Sequence, residues 1–183
     1  MENTMNLHLR SGMTAEKNGI GGRELVAFAL LGALMFALKM VLAFMPNIEP
    51  VSLLLIAYTL TFGRKALWPL CVYIGLEFMM WGAGLWNINY LYIWLILYGL
   101  TRLFRNMNSA LGWAVLSGGF GLLFGLLCAP VYWVTGGWGA AVSWWIAGIP
   151  LDLVHCVGNF TAALFLLKPC LVVLERLKKQ FFR

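Results

Sequence analysis

Twelve of the thirteen Lys and Arg residues fall in alternate gaps between apolar stretches, and no other feature constrains the fold as strongly. They occupy the N-terminal segment (Arg10, Lys17, Arg23), the second gap (Arg64, Lys65), the fourth gap (Arg102, Arg105) and the C-terminal segment (Lys168, Arg176, Lys178, Lys179, Arg183). The first, third and fifth gaps hold none. Basic loops stay on the cytoplasmic side of a membrane. The pattern therefore predicts an all-α integral membrane protein, a single bundle of six transmembrane helices with both termini cytoplasmic. Composition agrees: 62% of residues are hydrophobic and 11% charged, against roughly 25% charged in soluble domains. The net charge of +6 is spread over span ends rather than gathered on one face. That excludes nucleic acid as the expected partner and favours the lipid bilayer of the cell membrane.

Residues 1–22 read as a polar cytoplasmic tail, and 23–183 as the membrane domain with a short basic cytoplasmic tail of its own. Span 1, residues 24–45, matches a hydrocarbon core of roughly 30 Å. The outer turn Pro46-Asn47-Ile48-Glu49 leads to Pro50, a residue suited to a first helical position because its missing N–H has no partner there. Span 2 then ends near Phe62 and is short. Span 3 covers 66–81, and an outer loop follows at 82–89. Span 4 covers 90–104 and span 5 covers 110–134. Trp144 and Trp145 mark an interfacial outer segment, Pro150 begins span 6, and Lys168-Pro169 is its exit or kink.

The four cysteines (Cys71, Cys128, Cys156, Cys170) lie in apolar spans without a C-x-x-C pair and read as small hydrophobes. No metal site and no cofactor is expected. The ionisable residues within spans carry more information, since each costs at least about 2.5–3.5 kcal/mol to insert. They are Lys39, Glu77, Asp152 and His155, with Glu49 at an outer helix start. Lys39, Glu77 and Asp152 lie within roughly 10 Å of the outer edge. A proton relay needs groups through the whole depth, so this set marks a site open to the outside.

Asp152, His155 and Asn159 stand at i, i+3 and i+7 on one helix face. Each polar residue has a structural explanation when taken singly: Lys39 can snorkel, Lys39 and Glu77 can pair, and His155 can be a satisfied interior histidine. Groups from several helices at one depth favour a ligand pocket instead. Aromatics gather at the outer interface (Trp81, Trp86, Tyr90, Tyr92, Trp94, Trp133, Trp138, Trp144, Trp145), with Trp68 and Trp113 the clear inner cases. An aromatic belt accounts for most of them, and the asymmetry points to some outer rings lining a cavity or lid. Trp86, Asn87 and Asn89 are the lid candidates. The candidate substrate-binding set is thus Lys39, Asn47, Glu49, Glu77, Trp86, Asn87, Asn89, Asp152, His155 and Asn159. Glu49, Glu77 and Asp152 against Lys39 give a net charge of minus two if all are ionised, which favours a cationic or donor-rich ligand with a ring.

Span 1 carries an A-x-x-x-A-x-x-x-A ladder, Ala29, Ala33 and Ala37, with Gly32 beside it. Small residues four apart let a second helix approach closely. Such a ladder serves either a partner protein or packing within the bundle.

With its six short spans, alanine ladder, Pro46-Asn47-Ile48-Glu49-Pro50-Val51 turn and Gly148-Ile149-Pro150-Leu151-Asp152 stretch followed by His155 and Gly158-Asn159, the chain resembles the substrate-binding S component of an energy-coupling factor (ECF) vitamin transporter. The resemblance covers Arg23 to Leu177. It implies a bacterial membrane protein that binds a vitamin or related micronutrient tightly near the outer surface and topples to deliver it inward. It also implies that Ala29, Ala33 and Ala37 face a transmembrane coupling subunit driven by two cytoplasmic ATPases. The chain has no G-x-x-x-x-G-K-[ST], so ATP hydrolysis falls to those partners and no catalysis is expected of the chain itself.

Two other readings compete. An intramembrane enzyme would use Asp152 and His155 as an acid–base pair near Ser143, but G-x-S-x-G and H-E-x-x-H are both missing from the sequence. An oligomeric secondary transporter would need polar groups through both membrane halves, and the inner half is apolar up to its basic rim.

Overall fold

The computed structural model describes residues 20–45 and 48–181, so Asn47 lies outside the described residues. All secondary structure among them is helical. Helix α1, Gly22–Val41, is built from Ala, Leu, Phe and Met with no proline. Its inward face carries Phe28, Leu31, Gly32 and Met35. A β-carbon on Gly32 would come within 2.6 Å of the Pro69 carbonyl oxygen and of Val72 Cβ. Only glycine therefore lets α1 lie this close to the next-but-one helix, α3 (Leu67–Trp81). The opposite face of α1 exposes Ala29, Ala33 and Ala37, with Leu30 and Leu34 beside them.

Helix α2, Val51–Phe62, is predominantly apolar with no polar face, and buried at every position but Leu60. A helix of that kind belongs at the centre of a bundle, wrapped by its neighbours. Its end turns through a short 3-10 helix, Gly63–Ala66, into α3. Helix α4 spans Leu85–Leu103 and α5 spans Ala110–Leu122, where the Ser109 hydroxyl accepts from the Gly112 N–H at 3.1 Å and caps the first turn. The predicted outer loop ends earlier than expected. Gly84 is extended and α4 starts at Leu85, so Trp86, Asn87 and Asn89 stand on helix rather than on a lid.

Helix α6, Phe124–Phe181, contains Pro130, Pro150 and Pro169, yet its one non-helical residue is Gly137, at φ 77° and ψ −178°. Pro150 does not begin a helix and Pro169 does not end one. A proline forfeits one helical hydrogen bond and bends the axis, which packed neighbours on either side tolerate. A positive φ is far harder for a residue with a side chain, so the chain turns at the glycine. Contacts then close symmetrically around it. The Tyr132 ring stacks on Trp144 at 3.8 Å, the Gly125 N–H reaches Asp152, and Gly121 lies against the His155 backbone. Helix α5 and residues 124–136 thus run antiparallel to the rest of α6, as one long helical hairpin.

Gly22–Val41 and Ala110–Phe181 are long and apolar enough to cross a membrane, each holding an 18-residue stretch with a mean hydropathy of 2.0. Basic groups collect at one end of the molecule. Lys65 Nζ pairs with Glu24 at 2.8 Å, Lys178 Nζ donates to the Thr61 carbonyl at 2.6 Å, and the Arg102 guanidinium lies beside Gly63. Lys39, Glu49, Glu77, Asp152 and His155 collect at the other end.

Candidate ligand-binding site

That other end encloses a cavity of about 440 Å³, within the usual range for small-molecule sites. Its walls come from the end of α1, the turn before α2, the end of α3, the first turns of α4, and both arms of the α6 hairpin. Lys39 reaches it from α1 and donates to Glu77 Oε1 at 2.8 Å and to the Tyr90 hydroxyl at 3.0 Å. Its ammonium also sits 4.7 Å from the centre of the Tyr90 ring, a cation–π contact. The Glu77 side chain is 1% exposed and that of Lys39 19%. Glu77 Oε1 is therefore engaged, and the carboxylate also faces the buried Tyr73 hydroxyl.

Glu49 stands just before the first turn of α2, where the positive end of the helix dipole favours an anion. Its carboxylate lies 3.7 Å from His155 Nε2, too far for a hydrogen bond. Burial raises the Glu49 carboxyl above its ordinary value, and the Lys39 ammonium partly offsets this. His155 is 2% exposed, and neither ring nitrogen has a hydrogen-bond partner among the described residues. Its ring meets Phe124 edge-on at 4.9 Å. Trp86 is fixed from the side, its indole N–H donating to the Tyr90 hydroxyl at 3.0 Å.

Six of the sequence candidates therefore share one cavity: Lys39, Glu49, Glu77, Trp86, Asn87 and His155. Asn87 does so with its amide group already in use, since Nδ2 donates to the Gly82 carbonyl at 2.6 Å and closes the end of α3. The remaining described candidates lie outside it. Asn89 bonds within α4, donating to the Leu85 carbonyl at 3.2 Å and accepting from the Tyr92 hydroxyl at 2.9 Å. Asn159 donates to Ser52 Oγ at 3.1 Å and ties α6 to α2. Asp152 accepts the Gly125 N–H at 3.0 and 3.1 Å and borders a separate cavity of about 200 Å³. Trp86 and Phe124 line both cavities and form the partition between them. Ser143 is exposed, and no hydrogen bond joins Asp152 to His155.

Sequence reasoning missed Tyr90 as a site residue and grouped it with an interfacial belt. It is 1% exposed and accepts from both Lys39 and Trp86. Its spacing of four residues from Trp86 was the available signal, because such pairs share a helix face. Phe124 carried no comparable signal. Its place depends on the hairpin, which the prolines obscured. Compared with protein-family models, curated proteins and solved structures, the chain matches none.

Proposed function

We propose that this chain is the membrane-embedded substrate-binding subunit of an ATP-driven importer of the ECF type. It spans the bilayer six times with both termini cytoplasmic, captures a ring-bearing vitamin or related micronutrient at the outer face, and passes it inward with a coupling subunit and two ATPases. The observation that carries this reading is the convergence of Lys39, Glu49, Glu77 and His155 on one cavity with polar atoms left over. Buried polar atoms are ordinarily satisfied, and leaving them unsatisfied is a standing cost that a bound partner removes. The gathering of Lys65, Arg102 and Lys178 at the opposite end supports a cytoplasmic face there. The exposed ladder of Ala29, Ala33 and Ala37 supports α1 as the docking face, since lipid itself gives no reason to keep side chains small.

The direct test is mass spectrometry of what the full chain, purified in detergent after vitamin-rich growth, releases on denaturation. A stoichiometric micronutrient is expected. Release of lipid alone, with no saturable uptake in cells carrying the coupling proteins, would sink the reading. Within the assembled complex, Ala33→Leu should abolish uptake and leave solitary binding intact. Loss of binding as well would assign the ladder to packing inside the bundle.

A further inference from the structure

The occupied and unoccupied hydrogen-bonding capacity of the main cavity defines a charge. Lys39 and Glu77 neutralise each other across 2.8 Å, so they leave no net field for a ligand. Asp152, which sequence reasoning counted toward the same site, is held by the Gly125 N–H in the adjoining cavity. What remains is Glu49, whose nearest basic group among the described residues is an imidazole at 3.7 Å rather than a permanent cation. Beside it is His155, 2% exposed, lining the cavity with neither ring nitrogen hydrogen-bonded among the described residues. Two carboxylates thus face one ammonium, in surroundings where an unbalanced charge is expensive.

Ring surface is available in a particular place as well. The face of Tyr90 is taken by Lys39, but the Trp86 indole is held by its own N–H and borders the same cavity. A fixed indole is the strongest cation–π partner among side chains.

We propose that the ligand is an organic monocation carrying an aromatic ring, its positive group beside Glu49 and its ring against Trp86. An anion would meet Glu49 without compensation. A neutral ring would leave that carboxylate unpaired in a partly desolvated site. A dication would exceed the single unbalanced charge. This inference rests on the binding-subunit reading and adds the sign and number of charges on the substrate.

The test uses the full chain in detergent and a matched triplet of probes: N-benzyl-3-carbamoylpyridinium, its neutral isostere 3-benzylbenzamide, and the anion 3-benzylbenzoate. Binding is read by tryptophan fluorescence and calorimetry. In parallel, the compound that the protein captures from yeast extract is identified by mass and its charge at neutral pH assigned. The cation should bind about ten- to a hundredfold more tightly than the neutral isostere, the usual weight of a contact with a charged group. Glu49→Gln should erase that preference, bringing the cation and the neutral isostere to similar affinity. Capture of a monocation from the extract supports the same conclusion. Capture of, or preference for, a neutral or anionic compound overturns the charge assignment and leaves the binding subunit standing. If nothing is captured and no probe binds, both readings fall.

Discussion

Two neighbouring cavities at the same end of the bundle treat their carboxylates in opposite ways. Around Asp152 the carboxylate is engaged from the facing arm of the hairpin, both oxygens lying at 3.0–3.1 Å from the backbone N–H of Gly125. Around Glu49 the carboxylate keeps spare acceptor capacity beside a histidine with no hydrogen-bond partner among the described residues. Only the thickness of Trp86 and Phe124 separates the two. A buried acidic group within an apolar helix bundle is therefore not a site by virtue of being there. It becomes one when its surroundings leave part of it unanswered.

The contrast can be broken most forcefully at Glu77. Glu77→Ala leaves the Lys39 ammonium facing a cavity without its partner, and stripping one member from a buried pair costs about 3–5 kcal/mol. A large fall in unfolding midpoint in detergent is expected, with most of it recovered when Lys39→Met is added. Next in size is a crossover between the two cavities. His155→Gln, which keeps most of the buried volume, should weaken ligand binding by about 1–3 kcal/mol with little change in the unfolding midpoint, while Asp152→Asn should lower stability by a similar amount with affinity unchanged. If Asp152→Asn lowered affinity and spared stability, the two cavities would have to be treated as one site.

Acidity should tell the cavities apart too. Glu49 is faced by Lys39 from α1, Glu77 and Tyr73 from α3, Tyr90 from α4, and Cys128 and His155 from the α6 hairpin. Its raised carboxyl must be ionised to hold a cation, so affinity is full above that raised value and falls as the pH drops through it. One linked proton gives at most about tenfold per pH unit, and Glu49→Gln should flatten the profile when binding of the pyridinium probe is titrated. The smallest effect is expected at Asn87→Ala, about 0.5–1.5 kcal/mol of stability, because its amide closes the end of α3 rather than meeting ligand. A larger loss of affinity than of stability there would restore it as a contact residue.

Depth within the fold was legible in the sequence, and direction was not. One residue advances a helix by about 1.5 Å, so counting from the span ends put Lys39 and Glu77 at a common height, where the structure joins them. The same counting put Asp152 and His155 on one face, which they share, but could not say what each would meet. That depends on which part of the hairpin lies opposite, and the hairpin turns at Gly137, a residue with no mark to distinguish it from Gly136 or Gly139. The prolines drew the predicted breaks to Pro150 and Pro169, because local sequence registers a lost hydrogen bond and not the packing that compensates for it. Gly82 and Gly84 likewise announced a loop. They delimit only a brief turn, and the helix resumes early enough to carry Trp86 into the wall of the site.

The hairpin also divides the molecule by origin. His155 and Phe124 are delivered by the part of the chain after Ser109, whereas Lys39, Glu49, Glu77 and Trp86 all precede Arg105, and the residues 103–106 between the two parts are exposed. The cavity is thus a seam between two contiguous fragments. Genes encoding residues 1–105 and 106–183 separately should complement each other when co-expressed, each product carrying half of a recognition surface that neither possesses alone.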